Sequence, residues 1–291
     1  MNRLHTLLAA TDLSAPSRDA ALRAAMLARQ TGAKLELLHV MESSALNELP
    51  RLFGEGGDDL QDRLRLQARE ALSQLAAEIS APLGVSAGQH LLEGAVLKTI
   101  AAHADFLDAS LLVLGARGEG NWLLGAITER VLRRTLRPVL AVKQRPKEAY
   151  QSVLVAVDFS PWSMGAIDLA QAVAPQAELT LMNVVEAPFE GKMRFAGVDE
   201  EVILRYRASA RKEATAALQQ TVADAHLAGN WRPVAVHGDA AFRILKQEEE
   251  QGADLVVLGK HGVGMTEELL LGSVTKHVLT RARCDVLVAH R

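Results

Sequence analysis

The residues best suited to chemistry in this 291-residue sequence are Gly259-Lys260-His261-Gly262-Val263-Gly264 and then Gly272-Ser273-Val274-Thr275, with nine residues between Gly262 and Gly272. Glycines placed after a buried strand permit positive φ and let backbone N–H groups come close to an anion. Gly272-Ser273 supplies further amide and hydroxyl donors, and a helix starting there adds the positive end of its dipole. Together these features point to phosphate binding. The arrangement is neither the P-loop pattern G-x-x-x-x-G-K-[ST] nor G-x-G-x-x-G.

The remaining reactive side chains are less pointed. Asp158 ends an apolar run, Val153–Val157, where a carboxylate suits either ligand hydroxyls or the N–H groups of its own turn. Asp12 holds the same place in the first half. Ser160-Pro161 reads as a helix N-cap followed by proline at the first helical position, and Ser14 reads the same way; neither reads as a nucleophile. His261 has no carboxylate near it in sequence to orient it, and reads as a partly exposed loop histidine. His237-Gly238-Asp239 reads as a strand end and a helix cap. There is no His-Glu-x-x-His, and the single cysteine, Cys284, excludes an intrachain disulfide and a cysteine-rich zinc site. No catalytic residue and no built-in metal site is predicted.

These residues recur. Leu7–Ser14 matches Val153–Ser160, Leu35–Val40 matches Leu179–Val184, Ser110–Gly115 matches Asp254–Gly259, and Pro138–Val142 matches Asp285–Ala289, in one order and at offsets of 144–147. That period is too long for a solenoid, so each copy is a whole domain. The boundary falls at the charged, proline-containing stretch 143–150, giving domains 1–146 and 147–291.

Short continuous apolar runs alternate with amphipathic stretches. Strands are predicted near 5–10, 34–40, 86–92, 110–115 and 138–142, then near 152–157, 179–185, 233–237, 254–259 and 285–289. Runs of this kind suit strands buried on both faces of a parallel sheet. Helices are predicted near 161–174, 199–228, 240–251 and 267–282, and the long helix near 58–80 matches the one near 199–228. Leu64, Leu72, Leu75 and Ile79, and Val202, Leu218 and Val222, fall at helical spacing and read as core. The predicted fold class is α/β: two similar doubly wound domains, each a five-stranded parallel sheet with helices on both faces. Ligands of such sheets sit at the carboxyl ends of the strands, where the glycine segment lies. Met41–Gly57 and Pro188–Val198, rich in loop formers, read as surface loops or lids on that same side. Arg130, Arg133, Arg134 and Arg137 read as the solvated face of a last helix in copy one.

Composition excludes other classes. Hydrophobic residues make up 49% and charged residues 23%, with net charge −3, which excludes wholesale disorder and gives no general drive toward nucleic acid or an anionic membrane. No long uncharged apolar run and no signal-peptide pattern is found, so a cytoplasmic protein is expected.

The combined pattern resembles the universal stress protein family, as two tandem domains of the UspA type covering nearly the whole chain. Gly259, Gly262, Gly272 and Ser273 fit the family's G-2x-G-9x-G-[ST] without a gap, and Val157–Ser160 and the strand ending at Val184 are equally typical. The resemblance implies an adenine nucleotide, ATP foremost, in the second domain. Asp158 and Val184 would flank adenine and ribose, Leu258 and His261 would line the pocket, and Gly259, Gly262, Gly272, Ser273, Val274 and Thr275 would hold ribose and phosphates. Mg²⁺ would arrive with the nucleotide. It also implies pairing of the two domains through their last strands as an internal pseudo-dimer, with a homodimer open.

Copy one departs from this pattern. Asp12, Val40, Gly115 and Gly118 match, but only six residues separate Gly118 from Gly125, and Ala126 follows in place of Ser273. Three missing residues shorten the loop, so copy one is expected to bind nucleotide less well. The functional expectation is a stress-response binding module with at most slow ATP hydrolysis. The alternative is a tandem scaffold for protein partners or an apolar small molecule.

Overall fold

The computed structural model describes residues 4–54, 56–116, 126–185, 190–224, 230–262 and 270–290. The chain divides into two compact units, with the main division between Ala149 and Tyr150. Gly118, Gly125 and Arg117 lie outside the described residues.

The first unit runs β1 (Thr6–Ala10), α1 (Ala15–Thr31), β2 (Lys34–Glu42), α2 (Ser43–Phe53), α3 (Gly56–Leu83), β3 (Ala87–Gly94), α4 (Val96–Phe106), β4 (Leu111–Gly115), α5 (Ala126–Leu132) and β5 (Val139–Val142). Its strands lie in the order β3-β2-β1-β4-β5, every described pair parallel. The second unit runs β6 (Ser152–Ala156), α6 (Pro161–Val173), β7 (Glu178–Val185), α7 (Glu190–Phe195), α8 (Glu200–Asp224), β8 (Trp231–His237), α9 (Ala240–Gln251), β9 (Leu255–Gly259), α10 (Ser273–Arg281) and β10 (Asp285–Ala289). Its order is β8-β7-β6-β9-β10, again parallel.

The continuous apolar runs explain this arrangement. Leu7, Leu8, Leu111, Leu112 and Val113 in one unit, and Val153, Leu154, Val155, Val256 and Val257 in the other, are wholly buried. Successive strand side chains point to opposite faces, so burial of neighbours requires cover on both. The helices begin and end where the sequence punctuates them. Pro16 and Pro161 stand in the first turns of α1 and α6, and α1 ends at Gly32 (φ 73°), whose N–H donates to Ala28 O. Asp239 caps α9 by accepting the Phe242 N–H at 2.8 Å, as its sequence suggests.

Four expectations need correction. Met41–Gly57 is not a loop: β2 continues to Glu42 and α2 follows, with Leu46, Leu49 and Phe53 at helical spacing and Leu46 buried. The Ser, Asn and Pro between them mask that period. Within Pro188–Val198, residues 190–195 form α7, which buries no side chain and is held instead by the ion pairs of Glu190. Val202 is exposed, and its neighbour Ile203, 1% exposed, takes the core position on α8. The arginine run does not share one helix: α5 stops at Leu132, and Arg137 lies beyond it, donating to Asp105 at 3.0 Å and Asp108 at 2.6 Å.

Candidate functional site

In each unit the sheet order reverses between its first and fourth strands, the point where open α/β sheets receive ligands. In the second unit this point lies between β6 and β9, and a cavity of about 720 Å³ opens there. All ten residues singled out for the second domain line it. Asp158 follows β6, Val184 lies on β7, Leu258 and Gly259 end β9, and His261 and Gly262 continue from it. Gly272, Ser273, Val274 and Thr275 form the start of α10.

That start is a donor array. The first backbone bond inside α10 runs from the Lys276 N–H to Gly272 O (2.8 Å). The amides of Ser273, Val274 and Thr275 precede it, at the positions where a helix leaves its N–H groups without intrahelical acceptors. The helix dipole adds partial positive charge at the same place.

The signature glycines work differently from the sequence expectation. Gly259, Gly262 and Gly272 are not among the positive-φ residues. What matters is the missing side chain. A Cβ on Gly259 would stand 2.8 Å from Trp162 Cβ, one on Gly262 would stand 3.1 Å from Asp158 Oδ2, and one on Gly272 would stand 3.3 Å from Lys260 O. Gly259 lets the first turn of α6 pack on the end of β9. In the first unit Gly115 does the same beneath Pro16 O, 2.9 Å from its hypothetical Cβ.

The side chains around the cavity are held by one another. Asp158 Oδ1 accepts the Ser160 N–H (3.0 Å), the Ser160 hydroxyl (2.5 Å) and the Ser163 hydroxyl. Ser160 is therefore an N-cap by backbone conformation only, since its hydroxyl turns back to Asp158. Ser14 behaves alike, its hydroxyl donating to Asp12 Oδ1 at 2.5 Å. Burial raises the Asp12 pKa, but bonds from Ser14 and Ser17 outweigh it and hold the carboxyl below its usual value. Thr275 Oγ1 donates to Gly259 O (2.8 Å), tying α10 to the end of β9. Asn183 Nδ2 donates to Val157 O (2.7 Å), fixing the end of β6 against β7. His261 is not a partly exposed loop residue: it is 3% exposed, packed edge-on against Trp162 with ring centroids 5.1 Å apart.

Sequence reasoning missed the outer wall. Ala210, Glu213, Ala214 and Ala217 of α8 and Ala240 and Ile244 of α9 line the cavity, with Met182 and Asn183 of β7. Ala210, Ala214 and Ala217 recur at helical spacing, a signal of a face kept small. No lysine or arginine stands among the described lining residues; the charged ones are Asp158 and Glu213.

In the first unit, Asp12 follows β1, Val40 lies on β2 and Gly115 ends β4. Thr128 Oγ1 donates to Gly115 O (3.2 Å), the counterpart of Thr275. The anchor is reached 13 residues after the glycine here and 16 after it in the second unit. The three-residue difference therefore falls between the two anchored points.

The comparisons with known proteins agree with this architecture. The model of the universal stress protein family matches residues 3–143 and, again, residues 149–290. Universal stress protein YxiE of Bacillus subtilis is 30% identical over 145 residues, 48% of this chain and 98% of its own. Universal stress protein Mb2028c of Mycobacterium bovis is 27% identical over 297 residues, covering 99% of this chain and 97% of its own. The crystal structure of a universal stress protein from Archaeoglobus fulgidus is similar in fold, with a TM-score of 0.70 at 24% identity and 98% of each chain covered. This chain belongs to the universal stress protein family and carries two of its domains in tandem.

Proposed function

We propose that the protein is a cytoplasmic binding module that holds an adenine nucleotide, ATP foremost, in the second-domain cavity and acts in regulation or protection. The observation that carries this reading is the convergence of Asp158, Val184, the strand-end glycines and the amides of Ser273–Thr275 on one cavity. Its volume, about 720 Å³, falls in the range of small-molecule sites. The donor array at the start of α10 suits phosphate oxygens. Met182, Val184, Leu258 and the small α8 face suit a flat apolar ring. Mg²⁺ would be held chiefly by the phosphates. The first domain, shorter by three residues in its loop, is the weaker site.

Binding of fluorescent ATP to the full chain, with mass spectrometry of ligand released from protein purified without added nucleotide, tests the proposal. Ser273→Ala removes one hydroxyl donor and weakens binding by about tenfold, the worth of one hydrogen bond to a charged oxygen. Gly272→Val abolishes second-domain binding. Undiminished binding by Gly272→Val overturns the assignment. One observation favours a second reading, an apolar small molecule in the same cavity: the described lining holds no lysine or arginine to meet an anion. Release of such a compound in place of an adenine species decides for it. The internal pseudo-dimer is likewise proposed from the resemblance; sedimentation at the mass of one 31.4 kDa chain would support internal pairing alone.

A further inference from the structure

Glu190 opens α7, a six-residue helix that buries nothing, yet its own side chain is only 15% exposed. Three elements converge on its carboxylate. Arg207 of α8 donates through Nε at 2.9 Å and through Nη2. His237 Nε2, at the end of β8, lies 3.1 Å away, and Arg194 of α7 donates from 3.3 Å. Arg194 is held in turn by Glu200 at 3.0 Å.

The placement of these partners gives the carboxylate its meaning. Arg207 lies one turn before Ala210, where α8 begins to line the cavity with Ala210, Ala214 and Ala217. His237 lies three residues before Ala240, where α9 begins to line it with Ala240 and Ile244. α8 and α9 are separate walls with no described lining residue of opposite charge to join them. One anion therefore joins the root of each wall.

The first unit distributes this role differently. By the strand register of the repeat, Glu93 stands where His237 does, and Gln61 lies on α3, which follows β2 and α2 as α8 follows β7 and α7. Gln61 Nε2 donates to Leu46 O (2.6 Å), tying α2 to α3, while Arg65 donates to Glu93 at 2.7 Å, tying α3 to β3. Two separate ties replace the single shared carboxylate.

We propose that Glu190 is a positioning residue that clamps the α8 and β8–α9 walls together and so sets the width of the second-domain cavity. Its effect on ligand rests on the nucleotide reading above; the clamp itself does not. Glu190 acts through Arg207 and His237, so its loss is felt where they lead and not at the phosphate end.

The test uses the full chain with Glu190→Gln, which keeps shape and removes charge, and Arg207→Gln singly and combined with it. Hydrogen exchange read over residues 207–217 and 237–244 rises in each variant, while exchange in the first domain stays as in the wild type. Fluorescent ATP binds about tenfold more weakly to Glu190→Gln, and adding Arg207→Gln produces little further loss, because coupled partners are not additive. Glu190→Asp restores part of the affinity; a merely local packing defect would not respond to restored charge. Unchanged exchange in both walls overturns the clamp, as does raised exchange with unchanged affinity in a wild type that binds ATP. Raised exchange in a protein whose wild type binds no ATP upholds the clamp and overturns the nucleotide reading.

Discussion

Replacing Gly259 with alanine probes the contact between the end of β9 and the first turn of α6. The added Cβ would lie 2.8 Å from Trp162 Cβ and 3.2 Å from His261 O. Carbon atoms prefer separations of about 3.5–4.0 Å, so α6 must retreat by roughly 0.7–1.2 Å or the strand must tilt. Such overpacking costs about 1–3 kcal/mol. In a unit of this size each kcal/mol lowers the melting temperature by about 2–4 °C, so a fall of about 2–12 °C is expected. Calorimetry of the full chain measures it, and two companion substitutions assign the transitions. Gly115→Ala places its Cβ 2.9 Å from Pro16 O and lowers the first domain's transition. Gly191→Ala, in α7 with no atom within 4 Å and no positive φ, leaves stability unchanged or slightly raised. Because Trp162 packs on His261, Gly259→Ala also weakens ligand binding in the cavity. If Gly259→Ala melts within 1 °C of the wild type, the close-approach explanation of this glycine is refuted.

Two further outcomes follow from other parts of the molecule. Ala214→Leu extends a nearly buried α8 side chain into the cavity; it lowers fluorescent-ATP affinity by at least about tenfold while stability changes by less than about 1.5 kcal/mol, since the space is there to be filled. His103 of α4 packs on the His90 ring, centroids 4.5 Å apart, and its Nε2 is buried with no hydrogen-bond partner among the described residues. Burial lowers its pKa from 6.5, His90 lowers it further, and Glu36 opposes the shift. The fold therefore favours neutral His103: its contribution is complete above pH 6.5 and is lost as pH falls below that value. His103→Leu removes this component, so urea midpoints measured from pH 8 to pH 5 decline less steeply in the variant; equal slopes refute the assignment.

How legible the molecule was depends on which interactions make each part. The strands and their parallel order were readable because Val153–Val157 or Leu111–Gly115 cannot alternate between core and solvent; a continuous apolar run announces a strand covered on both sides. The ten second-domain residues were readable because strand ends and a glycine-serine helix start are local patterns, and the cavity gathers all of them. The alanine face of α8 was hidden, since alanine at helical spacing looks like any buried face until the facing wall is known. Helix α7 was hidden for a different reason: it is held by Glu190, Arg207 and His237, residues 17 to 47 positions apart, and no local periodicity records such a bond. Glycine chemistry was half readable. The glycines do line the cavity, but positive φ was the wrong cause, because the constraint comes from Trp162 and Asp158 on another segment.

The two copies surround the aspartate after the first strand with partly different partners. In the first unit Thr11 shares the work: its hydroxyl accepts the Leu13 N–H (2.9 Å) and bonds Ser17 Oγ (2.8 Å). Val157 stands at that place in the second unit and has no hydroxyl to offer. There Ser163, the counterpart of Ser17, turns to Asp158, whose Oδ1 also takes two bonds from Ser160. Three donors on one oxygen fix the rotamer of the carboxylate, and its other oxygen faces the Gly262 position beside the cavity. A group held before ligand arrives pays less to be ordered on binding. Asp12 also takes bonds from Ser14 and Ser17, so the longer loop is what sets the second domain apart and is the reason we propose it as the stronger site.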